Sequence, residues 1–318
     1  MNQNESARNR ITKILKGEIG LLLILVILCV VFAFSSEYFL KAKNILNVTR
    51  QISIVLTIAI GMLCVVLVGE IDLSVGSTAA LAGITCAWMI TTTGSQILGV
   101  LAAIVVGIMV GTFNGLLTVY GRIPSFIVTL ASMGIIRGIG LVWTQGKPFS
   151  GLPESFSFLG AKHILGVPVS SIVAVILVLI GYFILHKTKH GVYLKAIGAN
   201  SEAATLSTIP NNRYKVISFI TVGIMCAIGG VMTTSKLLTA SPTACTGMEM
   251  DVLSAVILGG ASLSGGIGTI TGTAMGALII GIINNGMNML NISPFFQQIV
   301  KGAIILVAVL LKRKNQKA

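Results

Sequence analysis

Of the 318 residues in the chain, nine are acidic, and four of these form two pairs of identical spacing, Glu70-Ile-Asp72 and Glu249-Met-Asp251. Both pairs stand at the edge of an apolar run. A carboxylate in hydrocarbon costs several kcal/mol, roughly 2.5–3.5 for Asp at the centre of a span, so it turns toward water, a polar pathway or a helix N-terminus. Two roles are therefore open: contact with a polar solute along a cavity, or capping of the helix that follows. Capping applies first to Asp72 and Asp251; for Glu70 and Glu249 the two roles stand level. Asn114, Asn284, Asn285 and Asn288 lie within or beside apolar runs, where an amide either bonds a solute hydroxyl or bridges two helices. Phe126, Phe295 and Phe296 offer faces for stacking on a solute ring, whereas Trp88 and Trp143 fit an interfacial aromatic belt better.

Other chemistries find no support. Gly146-Lys147 is followed by Pro148, so no nucleotide-binding P-loop is present and this chain hydrolyses no nucleotide. His163, His186 and His190 have neither metal-ligand spacing nor a nucleophile beside them. Cys29, Cys64, Cys86, Cys226 and Cys245 contain no CxxC pair and serve as small packing residues. No run of intramembrane acids or histidines builds a proton relay. The expectation is a chain that is no enzyme, binds no metal and carries no cofactor of its own.

The elements that must hold these residues are membrane spans. The chain is 54% hydrophobic and 10% charged, with a mean hydropathy of +0.96, and several apolar runs reach the roughly 20 residues that cross a bilayer. The fold class expected is an all-α polytopic membrane protein of about ten transmembrane helices. The candidate spans are Ile19–Phe34, Ser53–Val68, Val75–Thr92, Ile97–Val119, Phe126–Trp143, Val167–Leu185, Val216–Ser235, Val252–Leu263, Ile267–Ile283 and Phe296–Leu311. Ala33-Phe-Ser35 would also suit signal-peptide cleavage, but the further spans favour an uncleaved first helix. The formal charge of +13 falls in clusters beside apolar runs, which is a topology signal and excludes nucleic acid as the partner. Arg8, Arg10, Lys13 and Lys16 keep residues 1–18 in the cytoplasm as an N-terminal tail. An even span count returns residues 312–318 there, and it places the loop at residues 186–215 on the same side. Lys41, Lys43 and Arg50 run against this count. Thr144 to Gly166, with Pro148, Pro153 and Glu154, forms the largest outer segment and a surface for an extracytoplasmic partner.

Two further features organise the spans. The Glu-x-Asp pairs open an internal repeat. Asn114-Gly115 and Pro124-Ser-Phe126 follow the first copy, and Asn285-Gly286 and Pro294-Phe-Phe296 follow the second, in the same order. Copies that begin five spans apart face opposite ways, which predicts two inverted five-helix halves with a transport pathway at their interface. Many of the 36 glycines sit at small-residue spacing, as in Gly107-xxx-Gly111-xxx-Gly115 and Gly272-xxx-Gly276, suited to close helix packing. The second feature is Gly191 to Lys215, a polar stretch between the halves. Ala196 to Ser207 reads as a short exposed helix with Asn200 or Ser201 at its N-cap and Glu202 in its first turn. Pro210 stops it, and Asn211-Asn212 mark a turn.

Three segments carry a resemblance: Gly69-Glu-Ile-Asp-Leu-Ser-Val-Gly-Ser77, Ala196 to Ser207, and Leu258-Gly-Gly-Ala-Ser-Leu-Ser-Gly-Gly-Ile-Gly268. In this order and spacing they resemble the permease subunits of bacterial ABC sugar importers, most closely the ribose transport permease family, over nearly the whole chain. The resemblance implies a single permease domain, 1–318, in the bacterial plasma (inner) membrane, paired with a second permease copy or a paralogue. It implies a cytoplasmic ATPase that carries ATP-Mg, and an extracytoplasmic sugar-binding protein. It implies a coupling helix that engages the ATPase through Gly198, Asn200, Glu202, Ala203, Ala204 and Ser207. Substrate-pathway candidates are then Glu70, Asp72, Asn114, Phe126, Glu249, Asp251, Asn284 and Asn285. Thr208 departs from the family, which usually has Gly there, and a β-branched residue suits a left-handed helix exit poorly. The alternative is an ATPase-independent secondary transporter or channel for a small polar solute, which needs no docking helix; a scaffold that moves nothing would leave the repeated acids without use.

Overall fold

The computed structural model describes residues 18–316, and all but a few short pieces of it are helix. The helices are α1 Glu18–Ser35, α2 Ala42–Leu67, α3 Val75–Thr93, α4 Gln96–Val119, α5 Ser125–Thr144, α6 Val169–Lys187, α7 Lys189–Ala199, α8 Ser201–Leu206, α9 Asn211–Leu237, α10 Met248–Leu258, α11 Ile270–Met289 and α12 Pro294–Gln316. A 3-10 turn at Glu154–Phe158 and a two-stranded hairpin, β1 His163–Ile164 with β2 Val167–Pro168, lie between α5 and α6. The N-terminal tail up to residue 17 and residues 317 and 318 fall outside the described residues.

Seven of these helices are long and apolar enough to cross a bilayer: α2, α3, α4, α5, α6, α9 and α11. Apolar stretches of α1 and α12 are shorter, at Ile19–Ser35 and Pro294–Leu306. The span expected at Val252–Leu263 is corrected, because α10 is an 11-residue helix that ends at Leu258. Such a helix rises only about 16 Å. Gly259 and Gly260 end it, and Gly260 takes a φ of +89° that an L side chain resists.

Helix α9 is the axis of the bundle. It packs on α4, α2 and α3, and glycines bring these backbones together. A Cβ on Gly111 would overlap the Phe219 carbonyl, and Gly107 and Gly223 face each other's carbonyl oxygens. The spacing seen in the sequence at residues 107, 111 and 115 is therefore spent inside the fold. So is that at residues 272 and 276, where α11 meets Ala255 of α10 and Gly259 just past its end. Gly134 and Gly138 on α5, by contrast, have nothing near them. In lipid, close packing of small residues replaces the hydrophobic force that joins helices in water.

The register of α9 against its neighbours fixes depths. Ala79 of α3 lies against Gly230 and Gly83 against Thr234, so the start of α3, four residues earlier, is level with about Cys226. Glu70 meets Lys215, near the beginning of α9. From Lys215 to Cys226 the helix rises about 16 Å. The non-helical residues 70–74, with the reach of the Lys215 side chain, cover that climb. Helix α3 thus begins inside the bundle, with Ser74 and Val75 fully buried.

The chain after α9 makes the matching dip. Ala240 pairs with Phe149 of the segment before the 3-10 turn, and the Cys245 carbonyl and the Glu249 carboxylate then come against Gly76, near the start of α3. The N-termini of α3 and α10 meet in the interior.

Gly111→Val is expected to destabilise the detergent-solubilised protein by about 1–3 kcal/mol or prevent its folding, because the added methyls meet backbone. Gly134→Ala should leave stability unchanged. Thermal unfolding followed by size-exclusion chromatography distinguishes them.

Candidate functional site

The first acidic pair is divided between two jobs. Glu70 forms a half-buried ion pair with Lys215, Nζ to Oε1 at 2.6 Å. Asp72 is buried; its Oδ1 accepts from the Ser74 N–H at 2.7 Å and the Ser74 hydroxyl at 2.6 Å. It holds the turn into α3, and the N-cap itself is Ser74, whose side chain makes no cap bond. Asn114 of α4 joins them, donating from Nδ2 to Ser74 Oγ at 3.0 Å and less closely to Asp72 Oδ2 at 3.4 Å. Asn114 is fully buried, and this bond is the helix-bridging alternative for its amide. The backbone before α3 is served from α5: the Ile71 N–H donates to Ser125 Oγ at 3.2 Å, while the Thr129 hydroxyl, whose proton goes to the Ser125 carbonyl at 2.8 Å, lies 3.4 Å from the Ile71 carbonyl. Polar main chain inside a bundle needs such partners.

The second pair has separated differently. Asp251 is the fourth residue of α10 and pairs with Lys301 of α12, whose Nζ lies 2.7 Å from Oδ1 and 3.0 Å from Oδ2. The capping expected of Asp251 is therefore corrected to an ion pair between helices. Glu249 lies against the N-terminus of α3 at Gly76, where the positive end of the helix dipole favours a carboxylate. Beside it, Arg137 of α5 donates through Nη1 to the carbonyls of Pro242 (2.6 Å) and Ala244 (2.8 Å), pinning the segment that dips inward.

Asn285 and Asn44 exchange amide bonds at 2.9 and 3.0 Å between α11 and α2. Asn284 faces a small cavity, and Asn288 accepts from Gln297 at 2.8 Å. Phe126, Phe295 and Phe296 are exposed, while Trp88 and Trp143 stack edge-on with centroids 5.6 Å apart.

The loop between α6 and α9 is two helices rather than one. Helix α7 ends at Ala199, and Asn200 starts α8 by accepting the Ala203 N–H on Oδ1 at 2.9 Å. Asn211 does not mark a turn: it begins α9, and its amide reaches back to the Ser201 carbonyl at 2.6 Å and the Thr205 hydroxyl at 2.8 Å. Thr208 keeps the left-handed conformation at φ +61°, despite its β-branch. Glu202, Ala203, Leu206 and Ser207 are exposed, whereas Ala204 is buried. Gly198 faces inward, and a Cβ there would overlap the Leu67 carbonyl at the end of α2 and the Gly266 N–H. That N–H donates to the Leu67 carbonyl at 2.9 Å. The loop from Gly259 to Gly268 and the end of α2 thus form a seat for the elbow. Residues from all three motif segments meet at one end of the bundle. Burial lowers the pKa of His190 of α7 from its ordinary value, because a half-buried imidazolium is poorly solvated.

Residues 44–309 match the family described as "Branched-chain amino acid transport system / permease component". The chain belongs to this permease family. Among relatives of this permease, the ribose import permease protein RbsC of Bacillus subtilis (strain 168) is 43% identical over 300 residues, covering 94% of the chain and 93% of the relative. RbsC of Escherichia coli (strain K12) is 38% identical over 319 residues, covering 99% of each. The L-arabinose transport system permease protein AraH of Escherichia coli (strain K12) is 38% identical over 299 residues, covering 94% and 91%. No solved structure matches the permease. It is a multi-pass membrane protein and a transport subunit.

Sequence reasoning missed the partners. Lys215, Lys301, Arg137, Asn44 and Ser125 hold the acids, amides and dipping segments in place. Arg137 and Lys301 carried a signal, each being a cation inside an otherwise apolar run. Lys215, at the end of the polar stretch, carries no such local signal.

Lys215→Met should destabilise the permease by about 1–3 kcal/mol by leaving Glu70 half-buried and unpaired. Glu70→Gln with Lys215→Met should cost less than the two single changes together, as a double-mutant cycle of unfolding in detergent reads directly.

Proposed function

We propose that this chain is the membrane-spanning permease of an ATP-binding-cassette importer that carries a ribose-like monosaccharide into the cytoplasm. A separate ATPase, with ATP-Mg bound to it, drives the elbow formed by α7 and α8, and an extracytoplasmic binding protein delivers the sugar. The observation that carries this reading is the elbow itself. It is a capped helix that turns Glu202, Ala203, Leu206 and Ser207 outward and is seated on the bundle by Gly198 and Ala204. An ATPase-independent carrier has no use for such a surface. The sugar class rests on the relatives: the matched family is described by amino acid transport, but chains alike over nearly their whole length are named for ribose and arabinose.

The packing supports two inverted five-helix halves, α1–α5 and α6 with α9–α12. Helix α4 packs on α9 as α11 packs on α2; α3 packs on α4 and α5 as α10 packs on α11 and α12. In this reading N- and C-termini and the elbow are cytoplasmic, a second permease copy or a paralogue completes the pathway, and the plasma membrane is the site of action.

Motion of the elbow has a route to the interior. Gly198 bears on the end of α2, the chain leaves α2 through Glu70, and residues 70–74 run to the buried start of α3. There α10 begins. Pulling the elbow therefore acts on the junction of the two broken helices, which separates or closes the halves. Of the motif residues, Asn200 shapes α8, Gly198 and Ala204 seat it, and Glu202, Ala203 and Ser207 face the ATPase.

In cells expressing the permease with its ATPase and binding protein, Glu202→Lys should abolish ribose uptake and sugar-stimulated ATP hydrolysis. Its level in the membrane and its melting temperature should stay those of the parent. Gly198→Leu should also abolish uptake, but by unseating the elbow, visible as new protease cleavage between residues 189 and 211. Normal uptake by Glu202→Lys would defeat the coupling role.

A further inference from the structure

The end of the bundle away from the elbow contains a cavity of about 240 Å³ between α2, α9, α10 and α11. Its lining mixes apolar groups, Ile54 and Met248, with polar ones, Gln51, Thr233, Lys236 and Asn284. Asp251 also borders it, but its charge is already taken by Lys301 at 2.7 Å. The Asn284 Oδ1 is buried and has no hydrogen-bond partner. Thr233 donates its hydroxyl proton to the Gly229 carbonyl at 2.8 Å, and its oxygen faces only the Cys245 thiol at 3.9 Å, a weak donor that a ligand hydroxyl can displace.

These groups define the ligand they suit. An unpartnered buried acceptor calls for a donor, which disfavours an anion, and a compensated carboxylate beside Lys236 disfavours a metal cation. Hydroxyl groups meet both needs, since each can donate to Asn284 and Thr233 and accept from Lys236 and Gln51. The apolar side chains between them suit the C–H groups of the same ligand. A volume of about 240 Å³ falls under the roughly 300–1,000 Å³ of sites for drug-sized ligands, so one ring fits and two do not.

We propose that this cavity is a binding station for a single monosaccharide or pentitol, lying within one copy of the permease. The choice of sugars as probes rests on the importer reading; the station itself does not require the pathway between two copies.

The native Cys245 lines the cavity and reports on it without any substitution. Wild-type permease in membrane vesicles is treated with a small methanethiosulfonate reagent, and modification of Cys245 is timed by peptide mass spectrometry with and without D-ribose, L-arabinose or xylitol. At least one of these should slow the reaction. Asn284→Ala and the near-isosteric Thr233→Val should each weaken that protection about fivefold, the scale of one lost hydrogen bond. The station is overturned if Cys245 never reacts, if no probe slows it, or if protection survives in Thr233→Val and Asn284→Ala alike. Should Asn284→Ala fail to reach the membrane, Thr233→Val decides. Uptake in cells with the ATPase and binding protein is scored separately: its absence sinks the importer reading, while uptake without protection of Cys245 sinks only the station.

Discussion

Backbone touching backbone along α9 sets every other distance in this protein. Glycines on α4, α3 and α9 itself let main chains approach without side chains between them, and lipid offers no competing gain for separating them. Because the contact runs over several turns, it cannot slip by a residue without driving a Cβ into a carbonyl oxygen. That fixed register determines the level at which α3 begins and hence where the dipping segment before α10 must end. The interior junction is a consequence of packing elsewhere.

An interrupted helix inside a membrane protein exposes main-chain groups to a medium that will not solvate them. Ser125 serves the non-helical residues before α3, and Arg137 serves the turns before α10. The two copies of the repeat solve the same problem with different chemistry. In the first, Glu70 is the ion-paired acid and Asp72 shapes the turn; in the second, Asp251 is ion-paired and Glu249 lies at the opposing helix end. The motif is repeated, but its parts have traded duties.

What the sequence disclosed follows from what is local. Helix limits tied to hydropathy, the N-cap at Asn200 and the outward side of α8 depend on neighbours within a turn or two, and these could be read directly. The shortness of α10 could not, since Ala261, Leu263 and Ile267 beyond its end are as apolar as a helix would be. Nor does hydropathy separate extended Ile71 and Leu73 from helical residues, so the interior start of α3 was hidden. The break between α7 and α8 was missed because Asn200 suits a helix entry and an exit alike. Long-range pairs such as Glu70 with Lys215 or Asn44 with Asn285 are set by the register of α9, and no single stretch of chain encodes that.

The seat of the elbow is built almost entirely from main-chain atoms: the Leu67 carbonyl, the Gly266 amide and the bare Cα of Gly198. Its outer residues, Glu202, Ala203 and Leu206, bear none of that load. Substitutions on the outer side leave the mounting untouched, so a scaffold of this kind can be refitted to a different engine through a few surface changes while its internal mechanics are inherited whole.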